Sequence, residues 1–130
     1  LQAQVILLAL EEPELKEPLT EILAFLRRML RCEVLGEPFS FGTLFGMPED
    51  TLRRISQLPQ KYLGTPHFMP EPEDGKTLAR LNVFRTQARE AELLAAAAFP
   101  SGREDILRGL NRLSSAVYIL MLKQKGRGSL

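Results

Sequence analysis

The sequence predicts an all-α protein, an antiparallel bundle of four long helices with a long proline-rich segment ordered against it. Three observations carry that reading. Apolar residues recur at steps of three and four through most of the chain, the period of helices with one buried face. No stretch keeps the strict apolar–polar alternation of a half-buried strand. Six of the nine prolines fall between residues 36 and 73, which leaves both flanks free to form long helices. A chain of 130 residues is one ordinary domain, large enough to bury a core and too small for two.

The first helix is expected from Leu1 to Glu12, stopped by Pro13. The second begins near Pro18, a residue suited to a first turn. Its buried face is Leu19, Ile22, Leu23, Leu26, Met29 and Leu30, with Arg27, Arg28 and Arg31 outside it and Gly36 as the stop. Residues 36–73 form the irregular part, with one short helix from Pro48 to Gln57 and loop elsewhere. So long a connection is either functional or disordered. Phe39, Phe41, Phe45, Tyr62 and Phe68 argue for order, because disordered segments are poor in aromatics. The segment is therefore read as a cap lying on the helices. The third long helix runs from an Asp74 N-cap to Phe99. Pro100 then forces a tight reversal, and Ser101-Gly102-Arg103-Glu104 has the spacing of a capping box that opens the fourth. That helix carries the stripe Ile106, Leu110, Leu113, Val117, Leu120 and Met121. Residues 124–130 are expected to fray.

Composition excludes several classes of function. Seventeen basic and sixteen acidic residues leave a net charge of +1, so there is no basic field for nucleic acid or an anionic membrane. No apolar run reaches the ~18 residues of a membrane span. Cys32 is the one cysteine and His67 the one histidine, which rules out a disulfide framework and a His/Cys metal cage built from this chain alone. The balance fits a reducing, cytoplasmic setting. Leu1 already belongs to a helix and is not methionine, so the chain reads as part of a longer protein with an N-terminal portion before it.

Chemistry concentrates on the last two helices. Asn82, Arg85, Arg89 and Glu92 share one face of the third helix, close to its buried side of Leu81, Phe84, Ala88, Ala91 and Ala95. Arg85 and Arg89 are like charges one turn apart, a mildly destabilising pair that needs compensation. Two explanations stand. The guanidinium forks hold the oxygens of an anion, a polyphosphate above all, or Glu92 and other acids neutralise them in a structural network. On the fourth helix Asn111, Ser114, Ser115 and Tyr118 interrupt an apolar surface beside Arg112. Asn111 either reads a polar ligand edge or bonds a neighbouring carbonyl in close helix packing. His67 in Thr65-Pro66-His67-Phe68-Met69-Pro70 reads first as a local hydrogen-bonding residue, and Phe68 either closes over a flat ligand or anchors the cap. Asp74-Gly75-Lys76-Thr77 lacks the upstream glycine and strand of a phosphate loop.

Leu81-Asn82-Val83-Phe84-Arg85-Thr86-Gln87-Ala88-Arg89-Glu90-Ala91-Glu92, followed by Leu110-Asn111-Arg112-Leu113-Ser114-Ser115, resembles the paired signature of ATP:cob(I)alamin adenosyltransferases. Leu35-Gly36-Glu37-Pro38 and Pro66-His67-Phe68-Met69-Pro70 resemble the ethanolamine-utilisation branch. The resemblance implies a five-helix, ferritin-like bundle assembling as a homotrimer with sites between subunits. It implies ATP and a cob(I)alamin-type corrinoid as substrates, with Mg²⁺ as helper and a reductase supplying Co(I). It also implies a cytoplasmic place, in association with a bacterial microcompartment. By position, Arg85, Arg89, Glu92 and Asn111 fall on ATP-binding positions, with Arg85 and Arg89 in the catalytic role of neutralising the departing polyphosphate. Phe68 and Arg112 fall on the corrinoid side. Neither the upstream Cys/His motif of one branch nor the Gly-rich loop of the other is in these residues, and one or the other, a metal module or an ATP lid, is expected before Leu1.

The competing class is a non-catalytic oligomeric bundle with a degenerate nucleotide site. A carboxylate-bridged metal bundle would need Glu and Glu-x-x-His on facing helices, and His67 lies outside the long ones.

Overall fold

A computed structural model describes residues 1–99 and 102–128. Helix α1 (Gln2–Glu11) leads through a 3₁₀ turn at Pro13–Leu15 into α2 (Lys16–Leu35). The cap holds a two-stranded hairpin, β1 (Thr43–Leu44) and β2 (Met47–Pro48), then α3 (Glu49–Gln57) and α4 (Pro59–Leu63). A second 3₁₀ turn at Pro72–Asp74 opens onto α5 (Lys76–Ala98), and α6 (Glu104–Gly128) closes the described chain. The all-α expectation holds, with four long helices and two short ones among the described residues.

The central element is α6, which packs on α2, α3, α4 and α5. The predicted stripe is buried in full, but so are Ala116, Tyr118, Ile119 and Leu122. A helix buried on every side over Ala116–Leu122 is a bundle axis rather than an amphipathic surface helix. Against it α5 buries Leu78, Leu81, Phe84 and Ala88. Each fully buried aliphatic or aromatic side chain contributes about 1.5–3 kcal/mol of transfer free energy. The two helices run antiparallel, since Asp74, Arg85 and Glu92 meet Lys125, Tyr118 and Asn111 in reverse order. Pro100 and Ser101, where the sequence places the reversal and the capping hydroxyl, lie outside the described residues. On the other flank α1 packs on α2 and α5, and Glu12, only 5% exposed, accepts from Arg80 and Thr77 at 3.0 and 2.9 Å.

The cap is ordered, and its order comes from specific ties to the helices. Phe39, Leu44 and Leu52 are buried in the common core. Arg28 of α2 donates to the carbonyls of Ser40 and Phe41, its guanidinium 5.0 Å from the Phe39 ring centre and 5.6 Å from that of Phe25. The Phe39 N–H donates to Asp105 at 2.7 Å, and the Phe45 N–H to Glu21 at 2.9 Å. Gly109 of α6 makes room for this packing: a Cβ there would lie 2.9 Å from both Met29 Cε and Phe39 Cε2.

Five local expectations are corrected. No strand was expected, yet Thr43 pairs with Pro48 and Leu44 with Met47 around Phe45-Gly46, both at positive φ (55° and 74°). Strands of two residues are too short to display alternation, and Phe-Gly is not the usual pair for such a turn. A second short helix, α4, replaces loop after Pro59, whose fixed φ suits a first helical position. Asp74 is not the N-cap of α5; Gly75 is, and Asp74 instead accepts the Glu71 N–H at 2.9 Å and pairs with Lys125. That pairing helps explain why α6 continues to Gly128 rather than fraying at 124; residues 129–130 lie outside the described residues. In α2 the helix starts at Lys16 rather than Pro18, Phe25 joins the buried face, and Leu30 is half exposed. The helix does end at Gly36 (φ 67°).

Candidate active site

A cavity of 540 Å³ opens where α5, α6 and the cap meet. That is the size of pocket that takes a small-molecule ligand. Its lining follows from helical periodicity. Arg85, Arg89 and Glu92 stand at steps of four and three on α5. Asn111, Ser114, Ser115 and Tyr118 stand on the facing side of α6. Ser56 of α3 and the segment His67-Phe68-Met69 complete the wall.

The electrostatics are unbalanced. Among the described residues neither Arg85 nor Arg89 has a carboxylate within ion-pair distance. Glu92, the one acid among the described residues of the wall, accepts from the Asn111 side-chain amide at 3.0 Å. Burial and then the charge of Arg89 pull the Arg85 guanidinium below its ordinary pKa, although the nearby Tyr118 pulls the other way. An arginine still keeps its proton at neutral pH. Arg85 Nε and Ser114 Oγ are both buried without a hydrogen-bond partner. Such groups cost about 1–3 kcal/mol each when left unpaired, and both belong to residues of the same wall.

Aromatic contacts organise the cap side. The Arg85 guanidinium lies 4.9 Å from the centre of the Tyr118 ring, a cation–π distance. Phe68 and His67 stack on the same ring at 6.2 and 5.8 Å. His67 Nδ1 is 3.0 Å from the Tyr118 hydroxyl, and His67 Nε2 is 3.0 Å from the Gln57 carbonyl oxygen. The Lys125 ammonium sits 5.3 Å from the Phe68 ring centre.

A wall pairing two uncompensated guanidiniums with an aromatic face suits an anionic, flat-ringed ligand. The sequence of residues 2–124 matches the family described as cobalamin adenosyltransferase. The chain belongs to that family. It is 40% identical over 118 residues to the corrinoid adenosyltransferase EutT of Escherichia coli, and 41% identical over the same length to that of Salmonella typhimurium. Each alignment covers 84% of this chain and 44% of the relative, so the chain spans less than half the length of the curated relatives it matches. No solved structure matches it.

Within this member of the cobalamin adenosyltransferase family, the structure gathers Arg85, Arg89, Glu92, Asn111 and Phe68 at one cavity. Two expected residues are placed elsewhere. Asn82 does not line it, and its carbonyl accepts the Thr86 hydroxyl. Arg112 turns toward the cap, its Nε 3.5 Å from Glu49 and its Nη1 donating to the Asn111 side-chain oxygen at 2.8 Å. The step from Asn111 to Arg112 rotates a helical side chain by about 100°, which carries it off the cavity face. The sequence reading missed Ser56 and Met69 as wall residues. Ser56 carries no local signal, because only tertiary packing brings α3 to α6. Among the described residues no group of three or more His, Cys, Asp or Glu could hold a metal ion, and no helix is long and apolar enough to cross a membrane.

Proposed function

We propose that this chain forms the nucleotide- and corrinoid-binding core of an ATP:corrinoid adenosyltransferase, serving ethanolamine utilisation as in the branch it resembles. The single observation that carries the reading is the pair Arg85 and Arg89, which line a ligand-sized cavity with no carboxylate of the described chain to neutralise them. A polyphosphate supplies the missing charge.

The reaction is a displacement at the 5′ carbon of ATP. The Co(I) electron pair forms a cobalt–carbon bond and the C5′–oxygen bond breaks. Its electrons leave with the polyphosphate, and cobalt becomes formally Co(III). No general base is needed. The protein must align C5′ with cobalt and neutralise the departing oxygens, and positioning and electrostatics supply most of such acceleration. Arg85 and Arg89 take the second task. Arg85 Nε can donate to a phosphate oxygen, and Ser114 Oγ meets another. Asn111, held by Glu92 and Arg112, presents an amide to the nucleotide. Glu92 fits as the protein's ligand to a Mg²⁺ ion, since that ion is commonly bound by one or two carboxylates plus phosphate oxygens; when bound it would add charge neutralisation on the polyphosphate. Phe68 and the surrounding cap keep water from cobalt and disfavour a lower axial ligand, which eases reduction from Co(II) by a separate reductase.

Association into a homotrimer belongs to the same proposal. Large apolar side chains stand exposed on α1 (Ile6, Leu7, Leu10) and α5 (Val83, Leu93, Leu94), as a subunit interface would require. The visible spectrum of the full-length protein with Co(I) corrinoid and ATP tests the activity: conversion to the alkylcobalt spectrum is expected. An unchanged Co(I) spectrum, with ATP failing to bind, returns the chain to a non-catalytic bundle. Gel filtration tests the trimer.

A further inference from the structure

The reading above gives tasks to the cations and to Phe68 but none to Tyr118, which joins them. Tyr118 is 9% exposed and lies on the bundle axis, yet its ring forms part of the cavity wall. Its hydroxyl receives the Phe68 N–H at 3.4 Å and sits 3.0 Å from His67 Nδ1. The direction of that second bond follows from the far side of the imidazole. His67 Nε2 faces the Gln57 carbonyl, which can only accept, so Nε2 carries the proton. In the neutral ring Nδ1 is then an acceptor, and the Tyr118 hydroxyl donates to it. A chain of bonds therefore runs from the end of α3 through His67 to the axis helix. The other surface of Tyr118 is used differently. Its ring carries the Arg85 guanidinium at 4.9 Å and stacks on Phe68 and His67, contacts that do not need the hydroxyl.

Accepting the cavity as an ATP and corrinoid site, we propose that Tyr118 is a positioning residue with two separable tasks. Its hydroxyl, through His67 and the Phe68 backbone, fixes the Phe68 ring on the corrinoid side; its ring face fixes Arg85 on the polyphosphate side. Tyr118→Phe removes the first function and keeps the second. His67→Ala removes the same bond from its other end, at an exposed residue whose loss spares the core. Tyr118→Leu removes both functions.

The experiment is steady-state adenosylation by the full-length protein, titrating ATP and reduced corrinoid separately, with thermal melts as a folding control. Tyr118→Phe and His67→Ala should each raise the corrinoid KM or lower kcat about 3- to 10-fold, the range that one neutral hydrogen bond commands. The ATP KM should stay within about 2-fold. The double variant His67→Ala/Tyr118→Phe should be no worse than the poorer single variant, because the two act through one bond. Tyr118→Leu should add a rise of several-fold in the ATP KM from the lost cation–π contact. In the wild type, ¹⁵N shifts of His67 should report the Nε2–H tautomer and should move in Tyr118→Phe. An active wild type whose Tyr118→Phe variant shifts both KM values equally, or leaves both KM values and kcat unchanged, overturns the proposal and leaves the adenosyltransferase reading standing. Additive losses in the double variant do the same. A wild type that neither binds ATP nor alters the corrinoid spectrum overturns both. If Tyr118→Leu does not fold, the two milder variants still decide.

Discussion

Arg28 and Arg85 lie against aromatic rings at nearly the same distance, yet they belong to different kinds of site. At the root of the cap, Arg28 sits 5.0 Å from the Phe39 ring centre and spends its fork on two backbone carbonyls. In the cavity wall, Arg85 sits 4.9 Å from the Tyr118 ring centre, has like-charged Arg89 one turn away, and keeps a buried Nε without an acceptor. The first arginine completes a structure. The second keeps a buried donor for which the described residues supply no acceptor. Aromatic contact is common to both and distinguishes neither; what separates them is whether the remaining N–H groups have acceptors.

That contrast can be broken by mutation. The largest effect is expected for Arg89→Ala, which should cut adenosylation ~10²-fold or more, as loss of a transition-state charge clamp does. Its melting temperature should not fall, because the like-charge pair with Arg85 is relieved; single-turnover spectra and a thermal melt check the two halves. Phe68→Ala should slow adenosylation about tenfold, comparable to one aromatic contact and its exclusion of water, while ATP affinity measured by calorimetry stays near wild type. A pure loss of ATP affinity would reject its place on the corrinoid side. Arg28→Leu should act the other way round, lowering stability in urea melts by about 1–2 kcal/mol through its lost carbonyl bonds, with turnover per folded molecule close to normal.

The smallest effect sharpens the comparison from the acid side. Burial raises the pKa of Asp105, but the Phe39 and Ile106 N–H groups and Arg103 outweigh it, and the net value lies below the ordinary one. A carboxylate with a depressed folded value contributes stability in full above its unfolded pKa of about 3.9. That contribution is lost as pH falls through the lower folded value. Asp74, lowered chiefly by Lys125 and then by the Glu71 N–H, behaves likewise. Acidifying from pH 5 to pH 3 should therefore loosen the cap at Phe39, and Asp105→Asn should flatten that dependence in urea melts.

The bundle was legible because its signals are local and repeated. Ile106, Leu110, Leu113, Val117, Leu120 and Met121 announce one face of α6, and all six are buried. Full burial of Ala116, Ile119 and Leu122 was not legible, because it depends on which neighbours surround the helix. The site was half legible for the same reason. The steps from Arg85 to Arg89 to Glu92 put three side chains on one face without further information. Arg112 shows the limit: the helical step already carries it off the cavity face, but only the fold reveals that Glu49 of the cap is the acid it meets there. Asp74 erred similarly: an acid at a helix start reads as a cap until the far end of α6 brings Lys125 beside it.

Gly109 carries a consequence for how this protein can change over generations. Its missing methyl group is the seat on which Met29 of α2 and Phe39 of the cap both rest. Three segments far apart in sequence thus share one tolerance, and drift in any of them is screened at a position that does not line the cavity. Lineages that keep glycine there are free to vary the cap's outer surface, whereas one that gains even alanine must rework the aromatic joint before anything else.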